Sequence, residues 1–205
     1  CKAIPTRWLD INKGDRLREF IRSRLVAQET KRRSTLPFDD VANTFAATPP
    51  LEAIKLLLSL AMSGGQDLPE KSKKVVGFYD ISRAHFHADA RRDVFVIPPE
   101  EDDIIKGIAK LLRSMYGTRD AAQCFDVFSE KTRRMMGFTI GEFNPCVYHS
   151  MDRDAICVRH GDDFTLLADR STQDWFQKEL GKHMICKLVG VLGPKKEMGD
   201  VQEIR

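Results

Sequence analysis

No stretch of the chain is apolar enough to suggest a membrane span. The longest, Ile54 to Met62, is broken by Lys55 and Ser59 and falls far short of the roughly 20 residues a spanning helix needs, so no membrane partner is expected. No secretory signal pattern opens the sequence, and it begins on Cys1 rather than Met; a fragment or excised domain is the simplest expectation. Cys-x-x-Cys pairs are missing too. The five cysteines (Cys1, Cys124, Cys146, Cys157 and Cys186) are odd in number and dispersed, which reads as reduced intracellular thiols rather than a disulfide framework. No aromatic stacking pair clusters on a candidate strand, which argues against a small RNA-reading module. Repeats and low-complexity tracts are absent. A composition of 42% hydrophobic and 31% charged residues is ordinary for a globular chain, and 205 residues suffice for one large domain or two small subdomains with a real core.

Net charge is only +3, but it is unevenly spread. Residues 1–36 hold ten Lys or Arg against four acids, so they carry +6 and the rest of the chain −3. A basic amino-terminal lobe on a more acidic body fits a polyanion partner held by the first part and metal ions by the second; a solvated charged face would give the same count. His85 and His87 have the i, i+2 spacing of a transition-metal pair, yet no cysteine or further histidine lies near them in sequence.

The amino-terminal region reads as short extended pieces, Arg24-Leu25-Val26-Ala27 being the clearest. Leu51, Ile54, Leu57, Leu58 and Ala61 then recur at helical spacing after Thr48-Pro49-Pro50, with Gly64-Gly65 as the stop and a polar loop to Lys74. Val75 to Tyr79 predicts a strand closed by Asp80, and Asp93 to Ile97 a second one before Pro98-Pro99. Residues 104, 105, 108, 111, 112 and 115 have a helical period that Gly107 weakens. Asp120 is positioned to cap a helix carrying Ala121, Phe125, Phe128 and Met135 and ended by Gly137. Cys146 to His149 and the arms around Asp162-Asp163 predict strands, Ser171 with Asp174 a helix start, and Ile185 to Leu192 a closing strand.

From residue 73 on, this order is the split βαβ pattern of a ferredoxin-like domain, an antiparallel sheet with both helices on one face. The fold class is therefore α+β. That path brings the end of the first strand beside the central hairpin, so Asp80 meets Asp162 and Asp163. Three aspartates on adjoining strand ends suit two Mg²⁺ ions, which take hard oxygen ligands and leave open positions for phosphates and water. The alternative is structural: Gly-Asp is a common hairpin turn, and a strand-ending Asp is often the cap of the next helix.

Seven segments in order resemble the reverse transcriptase domain of copia-type long-terminal-repeat retrotransposons. Arg22-Ser23-Arg24-Leu25-Val26-Ala27-Gln28 is similar to its Lys-Ala-Arg-Leu-Val-Ala-Lys, and Thr44-Phe45-Ala46 with Leu51-Glu52-Ala53-Ile54-Lys55 to its Thr-Phe-Ala-Pro-Val and following helix. Tyr79-Asp80-Ile81-Ser82-Arg83-Ala84-His85-Phe86 resembles Met-Asp-Val-Lys-Thr-Ala-Phe-Leu, and Val94-Phe95-Val96 with Pro98-Pro99 resembles Val-Tyr-Met and Gln-Pro-Pro. Arg113 to Ala122 is similar to Lys-Ser-Leu-Tyr-Gly-Leu-Lys-Gln-Ala-Pro. Gly137-Phe138 and Asn144-Pro145-Cys146-Val147-Tyr148 resemble Gly-Phe and Asp-Pro-Cys-Val-Tyr, and His160-Gly161-Asp162-Asp163 stands where the family has Tyr-Val-Asp-Asp.

The resemblance implies a right-hand polymerase with fingers at 1–72 (basic lobe plus helix 50–63), a palm at 73–192 with an inserted segment 93–118, and the start of a connection to an absent thumb at 193–205. It implies primer extension on an RNA or DNA template from deoxynucleoside triphosphates, with two Mg²⁺ ions (Mn²⁺ as substitute) on Asp80, Asp162 and Asp163. Arg24 with Arg22 would grip the triphosphate, because guanidinium suits bidentate phosphate contact. His85 would pack against the nucleotide sugar, while His160 and Gly161 would lie at the primer and template. Ribonuclease H and integrase domains would be partners in a full-length element, acting in a cytoplasmic particle or the nucleus. The departures are specific. Asp120 stands where the family has a glutamine that contacts the nucleotide, and His85 replaces an aromatic sugar gate. His160 replaces a tyrosine, and Gly161 replaces a valine at an expected cost of about 0.5–1 kcal/mol in strand preference. A catalytically inactive nucleic-acid-binding relic is the alternative function.

Overall fold

Alternating burial along the extended segments builds two sheets. The computed structural model describes residues 3–15, 17–34, 36, 44–63, 73–101, 106–193 and 200–201. In chain order the elements are β1 (Ile4–Asn12), β2 (Ile21–Ala27), α1 (Leu51–Ser63), β3 (Val75–Ile81), β4 (Phe95–Ile97), β5 (Ala109–Lys110) and α2 (Ala121–Met135). They continue with β6 (Thr139–Ile140), β7 (Val147–Ser150), β8 (Ala155–His160), β9 (Asp163–Ala168), α3 (Arg170–Leu180) and β10 (Cys186–Leu192). The fold is a mixed α+β one. Among the described residues no helix is long and apolar enough to cross a membrane.

The chain forms two compact units, Cys1–Ala46 with His85–Phe128, and Ala47–Ala84 with Ser129–Arg205. In the first, four strands lie in the order β2-β1-β4-β5, with β1 and β4 parallel and the other pairs antiparallel. Ile4, Ala27, Val94, Val96 and Met115 form its buried cluster, flanked by Leu25, Ala109 and Leu111. Between β1 and β2, the Asn12 side chain accepts from the N–H groups of Gly14 and Phe20, and Asp15 from those of Leu17 and Arg18. Such side-chain mimicry of a turn is what Asn and Asp do where a ribbon reverses.

In the second unit the sheet order is β10-β3-β9-β8-β7-β6, antiparallel throughout. Taken alone, β3, β8, β9 and β10 follow the split βαβ path, extended at one edge by β7 and β6. One face carries Tyr79 and Phe164, both packed on Phe176 of α3, while Arg133 of α2 lies over Tyr148 and Phe164. The other face carries Val76, Val158 and Leu167, on which α1 sets Leu57 with Ala53, Ile54, Leu58 and Ala61. These α1 positions are the apolar stripe of the helical period.

Gln173 stitches α3 to the sheet. Its amide donates to the carbonyls of Val75 and Leu166, and its oxygen accepts from the Tyr79 hydroxyl at 2.6 Å. Gly77 makes that approach possible, since a Cβ there would lie 2.2 Å from Gln173 Oε1.

Three local expectations change. Residues 106–115 are not helical but hold β5 and irregular chain: Ile108 and Leu112 are exposed, Gly107 takes a φ of +103°, and Ala109 and Leu111 pack on the first unit's core. Helix α3 begins one turn before Asp174, capped by Asp169, whose carboxylate accepts from the Thr172 N–H and the Ser171 hydroxyl. The strand expected to end at Asp80 runs on through Ile81. The Gly64-Gly65 stop with its loop to residue 72, and Ile104 and Ile105, lie outside the described residues.

Candidate active site

The hairpin β8–β9 turns on two residues, Gly161 and Asp162, with His160 opposite Asp163. Gly161 has a φ of +61°, the left-handed value that glycine adopts at the first central position of a II′ hairpin turn. A β-branched residue would be strained there, so the expected cost of glycine reverses: Gly161 favours this turn. Beneath it, the buried Arg159 donates to the carbonyls of Gly161 and Ala47, both at 3.3 Å.

Register then places the acids. Asp80 of β3 pairs with Asp163 of β9. The Ile81 N–H donates to the Asp162 carbonyl at 3.3 Å, so the adjacent rung, Asp80 opposite Asp163, is of the non-hydrogen-bonded class, in which Cα atoms stand about 4.5 Å apart and side chains are closest. On the far side Lys187 of β10 pairs with Asp80. Directly opposed residues share a sheet face. His160, Asp163, Asp80 and Lys187 therefore form one row across four strands, two acids between two basic side chains. Lys187 was not singled out in the sequence, because its position is set by register across elements far apart in the chain.

The proximity shows in the chemistry. Burial first, then the charges of Asp80 and Asp162, push the Asp163 carboxyl above its ordinary value, against a smaller opposing pull from His160. Hard oxygen donors suit Mg²⁺, so the donor type fits that ion. The geometry is less complete. Among the described residues no three His, Cys, Asp or Glu side chains are gathered into a group that could hold a metal ion. Asp162 occupies the turn itself, and consecutive side chains diverge where paired ones align.

The first unit holds the other sequence-derived candidates. Arg22 is opposite Ile11 and Arg24 opposite Leu9, so the two arginines share one ribbon face. The Arg24 guanidinium lies 5.7 Å from the Tyr116 ring centroid. His85, in the short helical turn Ala84–His87, meets Tyr116 edge-on at 4.3 Å and Phe125 at 6.3 Å. Tyr116 thus links Arg24 to His85, an arrangement that spacing could not reveal.

Asp120 sits at the start of α2, where the Cys124 N–H bonds its carbonyl. Its carboxylate is taken by Arg92 in a two-pronged contact at 2.9 and 3.0 Å. Arg92 also binds Glu29, whose side chain is fully buried and accepts from the Ser34 hydroxyl at 2.6 Å and the Arg119 N–H at 2.8 Å. Asp120 therefore belongs to a Glu29–Arg92–Asp120 cluster, and its negative charge is offset within the unit.

No curated protein matches the chain. The family model described as Reverse transcriptase (RNA-dependent DNA polymerase) matches residues 1–196, and the chain belongs to that family.

Proposed function

We propose that the chain is the reverse transcriptase domain of a copia-type Pol polyprotein, joining a primer 3′-oxygen to the α-phosphorus of a deoxynucleoside triphosphate and releasing pyrophosphate. The observation that carries this reading is the opposed pair Asp80–Asp163 with Asp162 in the adjoining turn. Reverse transcriptase domains work with divalent metal ions. Here Asp80, Asp162 and Asp163 would hold Mg²⁺, with Mn²⁺ as a substitute, and the ions would supply Lewis-acid neutralisation of phosphate charge. The protein's own part is positioning and electrostatics. Arg24 and Arg22 grip the triphosphate, His85 packs against the sugar, and His160 with Gly161 meets the primer end. Asp120 acts through Arg92 rather than on the nucleotide. In this reading 1–72 serves as fingers, 73–192 as palm with its insertion at 93–118, and 193–205 leads towards a thumb. Ribonuclease H and integrase would be its companions in an intracellular particle or the nucleus.

A second reading, an inactive nucleic-acid-binding relic, is favoured by the acids themselves: among the described residues no three His, Cys, Asp or Glu side chains gather into a group that could hold a metal ion. Single-nucleotide extension of a labelled primer on RNA, in Mg²⁺ and in Mn²⁺, separates the two. Extension by the parent chain and none by Asp162→Asn supports the polymerase. Failure in both metals, with primer-template binding retained, leaves the relic.

A further inference from the structure

Of the three acids, Asp162 alone lies in a turn, while Asp80 and Asp163 belong to strands. Two contacts hold its backbone. Before it, Arg159 Nη1 donates to the Gly161 carbonyl at 3.3 Å. After it, the Ile81 N–H donates to the Asp162 carbonyl, also at 3.3 Å. A peptide unit is planar from one Cα to the next, so holding these two oxygens orients the planes on both sides of the Asp162 Cα. Only side-chain rotation is then left to bring its carboxylate to an ion.

Arg159 is itself anchored. Its Nη2 donates to the carbonyl of Ala47, a buried residue shortly before α1, at 3.3 Å. Its main-chain N–H donates to the Cys146 carbonyl at 2.9 Å. The residue thus ties the turn to the chain entering α1 and to the start of β7. Register puts Arg159 opposite Phe164 and His160 opposite Asp163, so Arg159 and the acid row leave opposite faces of the sheet. Its link to Asp162 runs through the main chain. Only 2% of Arg159 is exposed, and an apolar side chain there would avoid the cost of desolvating a cation. What the guanidinium adds is a rigid fork of donors able to hold two carbonyls at once.

We infer that Arg159 is a positioning residue for metal binding: resting on the polymerase reading, in which Asp162 is a ligand, its guanidinium holds the Gly161–Asp162 peptide so that the carboxylate meets the ion already oriented. Groups that orient a metal ligand change metal affinity by about 10–100-fold when removed.

Mn²⁺ binding to the full chain, without primer or nucleotide, is measured by electron paramagnetic resonance of the free ion for the parent, Arg159→Met, Arg159→Lys, Asp162→Asn and Arg133→Met. Thermal melting in EDTA establishes that each chain is folded. Arg159→Met should bind Mn²⁺ about 10-fold more weakly, and should need correspondingly more Mg²⁺ for half-maximal primer extension. Arg159→Lys, a point charge in place of a fork, should fall between it and the parent, and decides alone if Arg159→Met does not fold. Arg133→Met removes another buried guanidinium on the same side of the sheet and should bind as the parent does. Parent-like affinity in Arg159→Met, or in Arg159→Lys where it alone folds, would overturn the inference. So would an equal loss in Arg133→Met, which would mark general loosening of the interior, or a parent affinity that Asp162→Asn leaves unchanged. A parent that binds Mn²⁺ through Asp162 yet extends no primer would sink the polymerase reading alone, with the Mn²⁺ series still deciding on Arg159.

Discussion

Arg133→Met should raise the stability of the second unit. Arg133 is fully buried; its Nη2 reaches Ser129 Oγ at 3.4 Å, and Nε and Nη1 meet no hydrogen-bond acceptor among the described residues. Burial pushes its guanidinium below the ordinary value, and nearby Arg159 adds to that pull while Tyr148 and Cys157 oppose it. The compensation is two aromatic faces, Tyr148 at 3.9 Å and Phe164 at 4.8 Å. A desolvated cation over a ring contributes about 2 kcal/mol, whereas burying an ion costs several kcal/mol even after relaxation. Methionine is unbranched though two atoms shorter, fills most of the volume and favours aromatic neighbours. Replacing buried ionic groups by fitted apolar ones commonly stabilises by about 1–4 kcal/mol, and a gain of about 1–2 kcal/mol is expected here once the lost ring contacts are deducted. For a chain of this size that is a rise of roughly 2–8 °C in Tm. Arg133→Ala, which removes the charge but leaves a cavity, should gain far less. Urea and thermal unfolding followed by circular dichroism give both values. An unchanged or lower Tm for the methionine variant would refute the reasoning and show the guanidinium to be a net stabiliser.

Arg92→Met leaves Glu29 and Asp120 buried without their cation, so a loss of about 3–5 kcal/mol is expected; chemical denaturation reads it, and a loss under 1 kcal/mol contradicts the cluster. Gly161→Val, although it restores the residue type the hairpin resembles, should cost about 1–2 kcal/mol for a side chain in the left-handed region, measured by urea midpoint. Asp163 has a raised folded value, so its ionisation opposes folding; that penalty is absent well below 3.8, the ordinary value, and grows as pH rises from there through the folded value. Asp163→Asn should therefore raise Tm at neutral pH and have little effect on it at strongly acid pH, with primer extension reduced in the same variant; equal shifts at both pH values would contradict the sign.

Local pattern made much of this architecture legible. The stripe Ile54, Leu57, Leu58 and Ala61 identified α1, Gly137 marked the end of α2, and apolar arms about Gly161-Asp162 marked the hairpin, because each signal lies within one element. The stripe from 104 to 115 misled for the same reason: spacing cannot tell a face that packs from one such as Ile108 and Leu112 that stays in solvent. The site was half visible. Asp80 and the Asp162-Asp163 pair stood out, but Lys187, Arg159 and Tyr116 acquire their neighbours only through register and packing. The Glu29–Arg92–Asp120 cluster joins three distant segments, and no spacing rule foreshadows it.

The interleaving of the two units has a consequence for synthesis on the ribosome. Strand β3 is made early, yet its sheet neighbours β9 and β10 follow only after the whole of His85–Phe128 has been translated. At roughly 5–20 residues per second, the apolar Val75–Ile81 segment waits for seconds with both its edges unpaired. That interval is the chain's window for capture by a holding chaperone, and for misassociation with other nascent copies on the same message.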